Sequence, residues 1–256
     1  MRERGEFVGR VVLMTGGASG IGAAAARAFA AGGATVVLLG RHEAPARELL
    51  DALPARAPAG AFIACDVTDE VAVEAAVAAV ADRFGAPDVA VLSAGLLVRG
   101  AAETTSRSTW DEVLDVNLTG VFLVAREVAK RMRAAGRGSI VMVSSEAGLK
   151  GIRGLAAYSV AKAGVVELAR CMALDLADVG VRVNCVCPGT TRTPMVLEAV
   201  AKEPDPDAEL ARYANARPLR RLGTPEEIAA AIVYFASDAA AYATGAVLAV
   251  DGGFTA

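Results

Sequence analysis

Seven apolar runs, spread over a 256-residue chain and separated by alanine-rich stretches of helical pattern, constrain the fold more than any other feature of the sequence. The runs fall at about 10–15 (RVVLMT), 34–39 (ATVVLL), 60–65 (GAFIAC), 88–92 (DVAVL), 138–143 (GSIVMV), 181–187 (VRVNCVC) and 246–250 (AVLAV). Helical patterns lie between them near 20–32, 43–53, 69–84, 108–135, 157–179 and 225–236. Strands that are continuously apolar, rather than alternating, belong to sheets buried on both faces. Parallel strands need a crossover between each pair, usually a helix. The pattern therefore predicts an α/β fold with a doubly wound, seven-stranded parallel sheet and helices on both faces. No linker or repeat interrupts it, so residues 1–256 read as one domain. The stretch 190–222, with prolines at 194, 204, 206 and 218, stands apart as an excursion of the kind that forms lids or binding loops.

Composition narrows the function classes. Hydrophobic residues make up 54% of the chain and aromatics only 5%, so the core has to be built from Ala, Val and Leu. A net charge of −3 with no long basic run gives no electrostatic footprint for nucleic acid. No window approaches the roughly 18 consecutive apolar residues of a membrane span. The start, MRERGEFVGRVVLMTGG, has no uninterrupted apolar run before its first glycine turn, which argues against a secretory leader and for a cytoplasmic protein. The four cysteines, Cys65, Cys171, Cys185 and Cys187, lie in apolar stretches and read as small buried hydrophobes in a reducing compartment. His42 is the sole histidine, so neither a metal site nor histidine-based catalysis has its usual material, and no metal is expected.

The first run ends in TGGASGIG, which opens the first helical stretch. Gly16, Gly20 and Gly22 permit positive φ and close backbone approach, and the helix N-terminus beyond them presents free N–H groups and a positive dipole to a phosphate. Tyr158 and Lys162 in YSVAK stand four apart on a helix and so share one face. A free phenol ionises near pH ~10, too high for a base at neutral pH, and a neighbouring ammonium favours the phenolate.

These motifs, in this order, resemble the short-chain dehydrogenase/reductase family. The resemblance rests on T-G-x-x-x-G-x-G after the first strand, Asp66 in CDVTD, Ala94-Gly95 after the fourth, and Asn117 in DVNLTG. It continues through Ser145, Tyr158 and Lys162, then Pro188-Gly189 with Thr193 and a closing VDGG, from about residue 8 to 254. It implies a Rossmann fold and a nicotinamide cofactor. It also implies four catalytic residues: Tyr158 exchanging a proton with the substrate oxygen, Ser145 bonding the same oxygen, Lys162 binding the nicotinamide ribose, and Asn117 holding a water that links Lys162 to solvent. Ser144 competes for the serine role, and the thirteen-residue distance to Tyr158 favours Ser145. Cofactor contacts are expected from Gly16, Ser19, Gly20, Ile21, Gly22, Arg41, Asp66, Val67, Ala94, Gly95, Tyr158, Lys162, Pro188, Gly189 and Thr193. Leu92-Ser93 stands where the family usually has two asparagines, which leaves side-chain contacts there open.

The second strand ends VVLLGRH. Gly40 occupies the place of the acid that binds a ribose 2′-hydroxyl, and Arg41 follows as a partner for a 2′-phosphate, so NADP is favoured over NAD. Glu146, Ala147, Leu96, Leu97, Gly189 and Met195 are expected to line a largely apolar substrate pocket, with Glu146, Lys150, Arg153 and Arg192 as charged candidates at its mouth. The sequence is similar to bacterial polyol and cyclic-alcohol dehydrogenases, including those of secondary metabolism, and to 3-oxoacyl-carrier-protein reductases. The resemblance therefore implies a small alcohol or ketone as substrate and a homotetramer as the assembly. A non-catalytic dinucleotide sensor and an epimerase or dehydratase using the same site are the competing readings.

Overall fold

The computed structural model describes residues 6–54 and 57–256. Seven parallel strands form one sheet: β1 (Val11–Thr15), β2 (Thr35–Gly40), β3 (Ala61–Ala64), β4 (Val89–Leu92), β5 (Gly138–Val143), β6 (Val181–Pro188) and β7 (Val247–Val250). Their order is β3-β2-β1-β4-β5-β6-β7, so the chain leaves β1 in one direction and returns to its other side at β4. Alternation along β1 divides the core. Val11 and Leu13 pack on one face, and Val12 and Met14 on the other. The first face is covered by α3 (Glu70–Phe84), α5 (Gly120–Ala135) and α6 (Ala156–Leu176). The second is covered by α1 (Gly20–Ala31), α2 (Glu43–Asp51) and α9 (Pro225–Ala236). The doubly wound parallel sheet expected from the apolar runs is what forms.

Three local features depart from the pattern. The stretch read as one helix over 108–135 stays helical from Arg107 to Ala135, but α4 (Arg107–Leu114) passes through a π-turn at Asp115–Thr119 before α5 begins. The cause is Asn117, whose Nδ2 donates to the Val113 carbonyl at 3.0 Å and inserts a side chain into the helical ladder. The 190–222 excursion is not bare loop, since it carries α7 (Pro194–Val200) and α8 (Pro206–Asn215), each with proline in its first turn and an Asp or Thr N-cap. Lastly, Cys171 is exposed on α6, whereas Cys65, Cys185 and Cys187 are buried as expected. Helical periodicity turns position 171 outward although its neighbours Ala169 and Ala173 face the core.

All seven strands point the same way, so the loops after β1, β4, β5 and β6 meet at one end of the sheet. The crevice where strand order reverses, between β1 and β4, is where open α/β sheets take their ligands.

Candidate active site

Two loops touch at that reversal. Gly16 has φ +65°, and a Cβ built there would lie 2.7 Å from the Ser93 carbonyl and the Ala94 nitrogen. A Cβ on Gly22 would stand 2.1 Å from the Gly16 carbonyl oxygen, so neither position tolerates a side chain without moving backbone. Ser19 caps α1 with extended backbone but makes no side-chain cap hydrogen bond. The first-turn N–H groups of a twelve-residue helix are thus left without a side-chain acceptor and open onto the cavity. Bare backbone, free donors and a positive dipole end fit a pyrophosphate, and with it a dinucleotide. Leu92 and Ser93 do not prevent the neighbouring turn: Ala94 N donates to Thr15 Oγ1 at 3.3 Å, and Ser93 N to the Thr15 carbonyl at 3.2 Å.

The loops open into a cavity of about 690 Å³ that runs from Gly16, Ser19, Gly20 and Ile21 past Ala94 and Gly95 to Ser145, Tyr158 and Lys162. Asn117, Pro188, Gly189 and Thr193 line it too. Gly20 meets Thr193, whose Cγ2 would be 3.1 Å from a Cβ at position 20. Four sequence-expected cofactor residues lie off the cavity wall. Gly22 sits behind the turn. Val67 packs on Gly120 of α5, where a Cβ would approach its Cγ2 to 2.7 Å. Arg41 is exposed at the end of β2, and Asp66 stands nearby at the end of β3. Thr68 donates to Asp66 Oδ1 from N at 3.0 Å and from Oγ1 at 2.8 Å. These bonds, helped by the charge of Arg41, hold the Asp66 carboxyl below its ordinary range.

Lys162 reaches this end of the sheet from one turn further along α6 than Tyr158. Its Nζ donates to the Val143 carbonyl at 3.1 Å and lies 5.7 Å from the centre of the Tyr158 ring. Ser144 Oγ donates to the Lys162 carbonyl at 2.7 Å and so pins β5 to the α6 backbone. Ser145 instead caps the short 3-10 turn Glu146–Gly148 and faces the Tyr158 phenol. The tertiary contacts thus give the two adjacent serines different partners. Asn117 is fully buried, and its Oδ1 accepts from Leu96 N at 3.2 Å while Nδ2 donates to the Leu96 carbonyl at 3.0 Å. A Cβ built on Gly95 would lie 2.7 Å from Asn117 Oδ1 and 3.5 Å from Lys162 Nζ. The two polar groups therefore converge on a gap that only glycine leaves open.

Burial dominates the electrostatics. It pushes the Tyr158 phenol up to about 12; the Ser145 hydroxyl pulls the other way and the Glu146 charge adds to the rise. Burial also pulls Lys162 down to about 8. The expectation that Lys162 lowers the Tyr158 pKa is therefore not met in this arrangement. Desolvation of the phenolate is the largest influence on it, and Lys162 is itself desolvated.

At the far wall stand Leu97, Glu146, Ala147, Met195 and Arg153, as the sequence suggested. Leu96, Lys150 and Arg192 are elsewhere. Leu96 packs with Val113, Ala157 and Ala161. Lys150 donates to the Phe254 carbonyl at 3.3 Å, and Arg192 is exposed outside the cavity. Residues without a sequence signal complete the wall: Arg99, Thr190, Arg212, Tyr213, Arg217 and Phe254. Arg99 ties the loop after β4 to the excursion through Glu203 at 3.1 Å, Glu209 at 3.3 Å and the Tyr213 hydroxyl. Only the charge of Arg99 was visible in the sequence; its partners lie about a hundred residues away. Among the described residues no cluster of three or more His, Cys, Asp or Glu could hold a metal ion. No described helix is long and apolar enough to cross a membrane.

A family model described as enoyl-(acyl carrier protein) reductase matches residues 16–255. The cis-4-hydroxycyclohexanecarboxylate dehydrogenase of Sinomonas cyclohexanicum is 42% identical over 251 residues, covering 98% of each chain. The crystal structure of levodione reductase superposes with a TM-score of 0.93 at 35% identity, covering 97% of this chain and 98% of that one. An actinorhodin polyketide ketoreductase crystallised with NADPH gives a TM-score of 0.91 at 35% identity, covering 96% of this chain and 97% of the other.

Proposed function

The chain belongs to the short-chain dehydrogenase/reductase family, and from that premise we propose that it is a nicotinamide-dependent oxidoreductase interconverting a small secondary alcohol and its ketone. One observation carries the reading: the glycine turn opens onto the same cavity as Ser145, Tyr158 and Lys162. A non-catalytic sensor would need the turn but not the proton-handling face. Bound oxidised nicotinamide supplies the hydride-accepting carbon and a positive charge that favours the phenolate. Everything else is the work of the chain. In oxidation Tyr158 takes the proton from the substrate hydroxyl, and in reduction it returns one to the carbonyl oxygen. Ser145, fixed at the start of its 3-10 turn, orients that oxygen and opposes the penalty that burial places on ionised Tyr158. Lys162 holds a positive charge below the phenol, and its N–H groups beyond the Val143 bond are free for the ribose and for a water shared with Asn117.

A ring-bearing substrate suits the cavity, whose substrate end carries apolar surface from Leu97, Ala147, Met195 and Phe254. The name of the Sinomonas relative specifies a cyclic alcohol as well. NADP is the better fit to the end of β2, because Gly40 removes the acid that would repel a 2′-phosphate and Arg41 is exposed beside it. Self-association into a tetramer is supported by apolar side chains left exposed on α5 and α6, namely Phe122, Val160 and Leu174, and by the half-exposed edge strand β7. We place the protein in the cytoplasm, where its free, largely buried thiols need no oxidising partner.

The test is a panel of cyclic and acyclic secondary alcohols and ketones assayed with both cofactors, alongside Tyr158→Phe. Wild type should oxidise or reduce at least one panel member. The variant should bind dinucleotide as wild type does yet lose about 10²-fold or more in kcat, the scale of a positioned proton donor. Equal turnover by the variant would sink the mechanism, and light scattering that finds a monomer would sink the tetramer.

A further inference from the structure

A buried ion pair beside the catalytic serine has no part in the proton chemistry above. Glu146 follows Ser145 directly, and its side chain is 7% exposed. Its Oε1 accepts from Arg217 Nη2 at 2.5 Å and from Thr190 Oγ1 at 3.2 Å. Arg217, whose side chain is 3% exposed, lies just beyond α8. It also donates from Nη1 to the Tyr213 carbonyl at 2.6 Å and from Nη2 to Thr190 Oγ1. Its guanidinium sits 4.9 Å from the centre of the Phe254 ring. One side chain thus joins the serine turn, the loop leaving β6, the end of the excursion and the C-terminal tail, and all four line the cavity.

Stability is a poor explanation for such a pair. Removing two charges from water is costly, and an apolar pair of similar size is often as stable. Here the partnering is incomplete as well, because Glu146 Oε2 and Arg217 Nε are buried without any hydrogen-bond partner. We propose that Arg217, acting through Glu146, is a positioning residue for the reaction: it holds the Ser145 turn in place and governs the negative charge that faces Tyr158. Glu146 opposes ionisation of the phenol. Burial and the nearby Asp251 carboxylate push the Glu146 carboxyl up, against Arg217 and Thr190, which favour the ion. Other charged or titratable groups around it include Lys162 on the helix of Tyr158, Cys185 and Cys187 on β6, and Arg99, Arg153, Arg212 and Tyr213 on the cavity wall. Asp251 is itself held ionised by bonds from Thr255 and the Gly253 backbone.

This inference rests on the oxidoreductase reading and is tested with the panel alcohol that wild type turns over best. Glu146→Gln keeps the shape and an acceptor for Arg217 but removes the charge. The Tyr158 limb of its kcat/KM–pH profile should move about one unit toward acid, a modest effect for deleting one nearby like charge. Arg217→Met leaves Glu146 buried and unpaired, so KM for the alcohol should rise about tenfold with the dinucleotide KM unchanged. Arg217→Lys, and the double variant Glu146→Gln/Arg217→Met, should recover most of that loss. Circular dichroism confirms that each variant is folded, and Glu146→Gln decides the matter if Arg217→Met is not. A Glu146→Gln profile superimposed on that of wild type, or a loss confined to thermal stability, overturns the proposal. A wild type that turns over no panel member overturns the oxidoreductase reading instead, so the two failures are distinguishable.

Discussion

Replacing Lys162 by methionine should make the protein more stable and inactive. The Lys162 side chain is almost wholly buried and makes one intramolecular hydrogen bond, to the Val143 carbonyl. Burial lowers its pKa from the ordinary 10.5 to about 8. At 1.36 kcal/mol per unit, holding the ammonium there costs on the order of 3 kcal/mol. The folded pKa is the lower one, so between about 8 and 10.5 the unfolded chain binds more protons and stability rises with pH. The penalty is therefore complete below pH 8 and gone above 10.5. Methionine fills a similar volume without charge but leaves the Val143 carbonyl unpartnered, at a cost of about 1 kcal/mol. The net gain is roughly 2 kcal/mol at neutral pH, or about 4–8 °C in Tm for a chain of this size. Thermal unfolding followed by circular dichroism, without dinucleotide and at one protein concentration, should show that gain at pH 7 and little of it at pH 10. Turnover should vanish, a stability–activity exchange expected where function keeps a charge buried. A Tm at pH 7 equal to or below that of wild type would refute the reasoning, as would a gain independent of pH.

Asn117→Ala removes three hydrogen bonds, to Leu96 N, the Leu96 carbonyl and the Val113 carbonyl. At about 1 kcal/mol each the loss is roughly 3 kcal/mol, read as a lower midpoint in urea; an unchanged midpoint would show that the amide does not tie the π-turn to the loop after β4. Gly22→Ala drives a methyl to 2.1 Å from the Gly16 carbonyl. It should weaken dinucleotide binding by about tenfold or more in a fluorescence titration, whereas Gly151→Ala, with no atom within 4 Å of its Cβ, should leave binding unchanged. Arg41→Ala should cut the ratio of kcat/KM for NADP over NAD by about tenfold, the worth of a charge-assisted phosphate contact. A wild-type preference for NAD that the variant leaves unaltered would count against the NADP assignment.

Much of this molecule was legible in its local sequence. The apolar runs and alanine-rich stretches specify strands and crossovers because burial on both faces of a sheet leaves a continuous signature, and the crossover rule supplies the parallel sense. The TGGASGIG turn is equally local, since missing Cβ atoms allow close approach whatever the distant chain does. So is the shared face of Tyr158 and Lys162, which follows from helical spacing. Tertiary structure alone decided the rest. The π-turn at Asp115–Thr119 exists because Asn117 finds Leu96 in the loop after β4 as well as Val113 in its own helix. Glu146 and Arg217 are 71 residues apart, and only the closing of the excursion and the C-terminal tail around the cavity brings them together. The pKa values of Tyr158 and Lys162 belong to this second class. Residue identity supplies the phenol and the ammonium, but the desolvation that moves them arises only when sheet, helices and loops close around both.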